Sequence, residues 1–367
     1  MNAKEIDRII SKVRKELNYQ RYLTPLNYKY ENEKFLDYYH SGKEYNPIYS
    51  YYKFALSKES LKVLMNIKDK TIDPKETPKE RIVGQSLKAL HDEIHMYESI
   101  GESDFYEYSK KVYGEPSYNY SKYAEQILKN CFWDTENDAG FDAKQLMAIL
   151  KHRIDEYGFD WRVILSDTMA AKVSVEPDEK VLYINAFQKF SLNDCVRLRV
   201  HEIDTHILRA ENGFRRGYEI FSTGTPMSLI HEEGLAIYNE NRNNVLDIYA
   251  MKLYAARFLC CVNISLSFFE LFKTLIQYGC SEALALYIVS RIKRGLRDTS
   301  LPGGFIKDYV YFQGFYEIKN AIQKNRDCFY KLYYGSISLN DLTILDEEAE
   351  QLLTEHQIVL PHSINRC

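Results

Sequence analysis

"HEIDTH", residues 201–206, holds two histidines five positions apart and a glutamate directly after the first. Zinc-peptidase helices usually space their histidines four apart. Each residue of a regular helix turns about 100°, so positions i and i+5 lie about 140° apart. On such a helix His201 and His206 would face different directions. One inserted residue, a π-bulge, widens the turn and brings i and i+5 onto one face, and such bulges concentrate at functional sites. The stretch can therefore hold a metal ion if its helix is distorted between Glu202 and His206, and that distortion is the first expectation.

A catalytic zinc takes about three protein ligands and leaves another position to water. The third ligand should be an acid on a neighbouring helix, and "HEEGLAIYNE", residues 231–240, offers Glu232 and Glu233 at the start of the next helical pattern. Glu233 lies 27 residues beyond His206 (233 − 206). That separation lets one helix end near Gly213, a loop run through "STGTP", and a second helix pack antiparallel to the first. Gly234 would let the two helices approach closely.

Upstream of the histidines, "WRVIL", "AAKVSV" and "KVLYIN" are rich in β-branched residues, and "EPDE" between the last two is a turn. They predict a small mixed sheet with a hairpin at its edge, placed before "HEIDTH" where an edge strand can hold a substrate backbone. Apolar residues recur at three and four from Ala3 to Leu17, with further helical patterns near 54–66, 78–99, 102–112 and 118–131. Asp142 is a candidate N-cap for a helix stopping at Gly158. After Asn185 helices are expected at about 191–211, 228–246, 249–278, 282–296 and 308–323. The fold class is thus α+β and predominantly helical, with residues 1–140 as a helical N-terminal region and 141–367 as the core.

Composition narrows the function. A net charge of −4 from 48 basic and 52 acidic residues, well mixed, provides no field toward nucleic acid or an anionic membrane, so neither is expected as a partner. The most apolar stretch, residues 258–276, carries Asn263, Glu270 and Lys273 and reads as a buried helix. Seven scattered cysteines without a CxxC pair, and an N-terminus without a secretory signal, predict buried thiols and a cytoplasmic location. There is no GxSxG elbow and no GxxxxGK phosphate loop. His91 and His95 in "HDEIH" do share a regular helix face, yet no glutamate follows His91, and a surface pair is expected.

"HEIDTH", "HEEGLA", "RIKRG" and "GGFIKDYVYFQG", with "NEKFLDYYHSGKEYNPIYSY" and "DFYEYSKKVYGEPS" upstream, resemble the family of bacterial QEGLA-motif proteins. That family includes the eukaryotic microtubule-associated tyrosine carboxypeptidases, which remove the C-terminal tyrosine of α-tubulin. The resemblance implies a zincin-like metallopeptidase core binding Zn2+, with His201, His206 and Glu233 as ligands and Glu202 as the acid/base. Glu233 is preferred to Glu232 because the family's acid falls on the second position of its string. Asp204 stands where the family often has glycine, and is expected to bear on the bulge or on a ligand histidine; His231 stands where threonine is more usual.

The implied reaction is hydrolysis near the C-terminus of a peptide or protein, releasing tyrosine or another aromatic residue. Glu202 would take a proton from the attacking water and deliver it to the leaving amine. Tyr311 is the candidate second donor to the oxyanion. An arginine fork suits a terminal carboxylate, and Arg291, Arg294 and Lys307, in the family-like motifs, are the candidates, ahead of Arg209, Arg215 and Arg216. Two alternatives stand beside this reading: a zinc-binding regulatory protein without turnover, and a zinc endopeptidase lacking the carboxylate clamp.

Overall fold

A computed structural model describes residues 2–67, 76–130, 140–169 and 171–362. The chain divides into two compact units, each made of two stretches: Met1–Trp133 with Ile248–Gln313, and Asp134–Asp247 with Gly314–Cys367.

The first unit is helical. Its patterns resolve into helices Ala3–Arg14, Lys58–Ile67, Pro78–Glu98, Phe105–Tyr113 and Ser121–Asn130, close to the expected spans. Ile248–Val262 packs against Ser121–Asn130, and Phe268–Gln277 against Glu282–Lys293. The apolar run expected as one helix over 249–278 is two, because Ser267 caps a new helix: its side chain accepts from the Glu270 N–H, and Glu270 accepts in return from Ser267 N–H. No helix among the described residues is long and apolar enough to cross a membrane.

The second unit carries both histidines. Asp142 caps the helix Ala143–Glu156 in a capping box with Gln145, and Gly158, at φ +70°, ends it. A three-stranded mixed sheet follows, in the order Arg162–Ser166, Val181–Asn185, Val173–Glu176. The first pair is parallel and the second antiparallel, with Val175 opposite Leu182. The "EPDE" turn makes that second pair the expected hairpin, closed by Lys180 in the left-handed region. A two-residue ladder, Phe141–Asp142 with Lys189–Phe190, was not expected. Trp161, Leu150, Ile154, Leu182, Ile184, Ile203 and Ile207 are all buried in the core of this unit.

That helix runs without a break from Leu192 to Phe214, and the edge strand Val173–Glu176 lies against its middle. The acid-bearing helix, Leu229–Arg242, packs on the same segment. The close approach at Gly234 has another partner than expected: a Cβ there would lie 2.3 Å from the backbone of Gly314. The helix Leu339–Thr354 was also not expected, although Ser338 and Asp341 form its capping box.

Candidate metal centre

Residues Arg199–Ile207 form a π-helix, the distortion that the five-residue spacing demands. With the wider turn the two imidazoles come together, ring centroids 4.8 Å apart and planes at 73°. On the facing helix, Glu233 Oε2 lies 3.5 Å from His201 Nε2 and 3.8 Å from His206 Nε2. A carboxylate oxygen of Glu202 and one ring nitrogen of each histidine lie within 4.8 Å of one another. His201 and Glu202 are buried, and His206 and Glu233 are half-buried.

Each histidine is held from behind by a carboxylate. His201 Nδ1 lies 2.6 Å from Glu240 Oε1, and His206 Nδ1 lies 2.9 Å from Glu232 Oε1. An Nδ1–H donated to a carboxylate fixes the tautomer that leaves Nε2 bare, the arrangement common to histidines that bind metals. The orienting carboxylates are anchored in turn. Arg197 Nη1 donates to Glu240 Oε1 at 3.2 Å, and the guanidinium of Arg209 donates to Glu232 Oε2. The antiparallel helix pairing explains the order, with Glu232 against the later histidine and Glu240, two turns on, against the earlier one.

The donor set suits a divalent cation. In a tetrahedral zinc site the ligand atoms lie about 3.3 Å apart, and the Nε2–Oε2 separations of 3.5 and 3.8 Å come close to this. The electrostatics agree. Burial pulls the His201 imidazole down, but the carboxylates of Glu233, Glu240 and Glu202 outweigh it and raise it to about 10. Burial and the His201 charge oppose protonation of His206, and Glu232 and Glu233 win there too. Four carboxylates around two imidazoles therefore favour positive charge at this point.

Other residues read from the sequence fall elsewhere. Asp204 pairs elsewhere than with His201 or His206: it takes a two-point ion pair from Arg153, at 2.9 and 3.1 Å, and accepts from the Tyr157 hydroxyl at 2.8 Å. His231 Nδ1 accepts from the Leu339 N–H, and its Nε2 faces Glu317 at 3.4 Å. Arg209 is fully buried, and beyond Glu232 its fork serves the carbonyls of Leu332, Gly335 and Ile337, so it acts inside the core and not on an exposed substrate. Arg216 is likewise occupied, by the carbonyls of Asn212 and Gln357. Exposed His95 pairs with Glu98, as expected of a surface histidine.

Tyr311, Arg291, Arg294 and Lys307 belong to the first unit. Tyr311 stacks on Tyr254 with ring centroids 5.3 Å apart. Arg291 grips Asp308 in two places, at 2.7 and 2.8 Å. Lys307 Nζ sits 4.9 Å over the Tyr19 ring. Arg294 lies 4.6 Å over Phe305, and its buried Nε makes no hydrogen bond among the described residues.

Glu240, Arg197, Asn239 and Tyr333 were missed in the sequence. "HEEGLAIYNE" already held the signal for Glu240, which lies seven residues, two turns, beyond Glu233 on the same face.

The family described as "Microtubule-associated tyrosine carboxypeptidase" matches residues 34–366. Microtubule-associated tyrosine carboxypeptidase 1 of Rattus norvegicus is 31% identical over 187 residues, which make up 47% of this chain and 38% of that protein. The protein of the same name from Mus musculus is 33% identical over 157 residues, 40% of this chain and 32% of its own length. The chain thus spans well under half the length of these relatives. Because the family match runs through nearly the whole chain and takes in both helices of the histidine–glutamate cluster, the chain belongs to the microtubule-associated tyrosine carboxypeptidase family.

Proposed function

We propose that the chain is a zinc-dependent carboxypeptidase that releases an aromatic residue, tyrosine foremost, from the C-terminus of a peptide or protein. The observation that supports it best is the convergence of two bare Nε2 atoms on one Glu233 oxygen, with Glu202 beside them and a carboxylate behind each ring. His201, His206 and Glu233 would hold the ion. Zinc there supplies a Lewis acid that polarises the scissile carbonyl and makes water nucleophilic near neutral pH.

The chain's own groups do the rest. Glu202 takes the proton of the attacking water and returns it to the departing amine, so its carboxylate ends as it began. Glu240 and Glu232 keep both imidazoles in the tautomer that binds metal. The edge strand Val173–Glu176 is paired on one side only among the described residues and offers its outer edge to an extended substrate. The terminal carboxylate goes to a cation of the family-like motifs. Arg291, Arg294 and Lys307 are the proposed candidates, of which Arg291 is already committed to Asp308. Tyr311 is the proposed second donor to the oxyanion.

The test is a library of peptides with diverse C-termini, in free-acid and amidated forms, followed by mass spectrometry with and without chelator. Loss of one aromatic residue from free acids only, abolished by chelation and by Glu202→Gln in a variant that still binds zinc, is the expected result. Equal cleavage of the amidated forms would replace the carboxypeptidase with an endopeptidase. No cleavage, with zinc bound, would leave a binding protein.

A further inference from the structure

A widened helical turn is unfavourable in isolation, so something must hold Arg199–Ile207 in it. The structure shows a network of buried side chains attached to this segment. Thr205 Oγ1 donates to the Val200 carbonyl at 3.0 Å, five residues back, where a threonine on a regular helix reaches three or four. The Tyr333 hydroxyl donates to the Asp204 carbonyl at 3.0 Å. Both hydroxyls accept from one group, the side-chain amide nitrogen of Asn239, at 2.7 and 2.9 Å. Since each hydroxyl spends its proton on a carbonyl, each must accept from the nitrogen, and the orientation of the carboxamide follows. Thr205 and Tyr333 are completely buried, and Asn239 is 3% exposed.

Asn239 lies on the helix that carries Glu232, Glu233 and Glu240. One carboxamide therefore ties the acid-bearing helix to the turn that carries both histidines: its nitrogen donates to two hydroxyls, each of which donates in turn to a carbonyl of that turn. We propose that Thr205, Asn239 and Tyr333 form a lock that keeps this segment in the π conformation and in register with the acid helix, so that Asn239 and Tyr333 are positioning residues for the metal site. Without the Tyr333 hydroxyl the Asp204 carbonyl is left buried and unpaired by a side chain. The segment then relaxes toward regular helix, and His206 rotates away from His201. The inference rests on the metal-binding reading above.

The experiment compares the full chain with Tyr333→Phe, Thr205→Val and Thr205→Ser. Zinc affinity is measured by competition with a chromogenic chelator, the visible spectrum is recorded with cobalt in place of zinc, and amide hydrogen exchange over residues 199–207 is followed in metal-free protein. Tyr333→Phe and Thr205→Val should lower zinc affinity roughly tenfold to a hundredfold, alter the cobalt spectrum and speed exchange in that segment; Thr205→Ser, which keeps the hydroxyl, should leave all three near wild type. Unchanged affinity, spectrum and exchange in Tyr333→Phe would overturn the lock, and so would a variant that merely melts earlier while all three stay put. If the wild-type chain takes up no zinc, the metal reading fails, and the exchange measurement alone decides the lock.

Discussion

Gly234→Ala sets two known effects against each other, and the geometry says which wins. Replacing glycine by alanine inside a helix stabilises it by about 1 kcal/mol through lost chain entropy in the unfolded state. At this position the new methyl would sit 2.3 Å from both the carbonyl carbon and the oxygen of Gly314, and 2.8 Å from its Cα. Reaching an ordinary contact of 3.4 Å requires the two backbones to separate by about 1.1 Å. The obstacle is backbone, which has no rotamer to escape into, and Gly314 is as tightly placed, since a Cβ there would meet the Ile230 carbonyl oxygen. Overpacking of this kind costs about 1–3 kcal/mol, here at the upper end, so the net effect is a loss of about 2 kcal/mol. The assay is urea unfolding followed by the fluorescence of Trp161, which is buried in the same unit, in a Trp133→Phe background. Gly140→Ala, where a Cβ would meet nothing within 4 Å, is the control. Because Glu233 is the adjacent residue, zinc affinity should fall with stability. A Gly234→Ala protein as stable as its parent, or more so, would refute the argument from close approach.

Glu240→Gln should lower zinc affinity roughly tenfold to a hundredfold by loosening the His201 tautomer, with secondary structure intact; equal affinity by chelator competition would remove Glu240 from the site. Lys293, fully buried among the carbonyls of Ile264 and Leu301, is pulled down by burial to about 8. An unfolded lysine titrates near 10.4. Between these values the unfolded chain binds more protons than the folded one, so stability should rise as pH climbs from about 8 to about 10.4. Lys293→Met should flatten that rise in unfolding midpoints measured across the range, and an unaltered slope would count against it. Arg294→Met should raise KM for free-acid peptides at least tenfold with kcat much less affected, whereas equal losses in both would assign it elsewhere.

Much of the cluster was legible because two histidines that share a helix face must obey its spacing. The interval between His201 and His206 cannot work on a regular helix, so geometry alone demanded the π segment that spans Arg199–Ile207. Caps read directly as well: Asp142 with Gln145 and the glycine stop at Gly158 are local in sequence. What stayed hidden was non-local. Tyr333 reaches the π segment from 129 residues away, and no periodicity in "KLYYG" announces it. The partner of Gly234 lies 80 residues on (314 − 234), since a glycine signals close approach without naming what approaches. The break at Ser267 was hidden by an apolar run that looked continuous, although the capping pair Ser267 and Glu270 was there to be read. Arg209, weighed as a substrate cation, shows that residue type alone does not separate a waiting charge from one already spent on carbonyls.

Each compact unit is assembled from two stretches of chain, so neither is complete when its first stretch leaves the ribosome. The histidines and Glu233 emerge more than ninety residues ahead of Tyr333 (333 − 233 = 100). During synthesis the nascent segment holds its acids and imidazoles without the phenol that secures the widened turn, and only the arrival of the last stretch closes it. Translation order thus places the closing of this cluster after Tyr333 has been made.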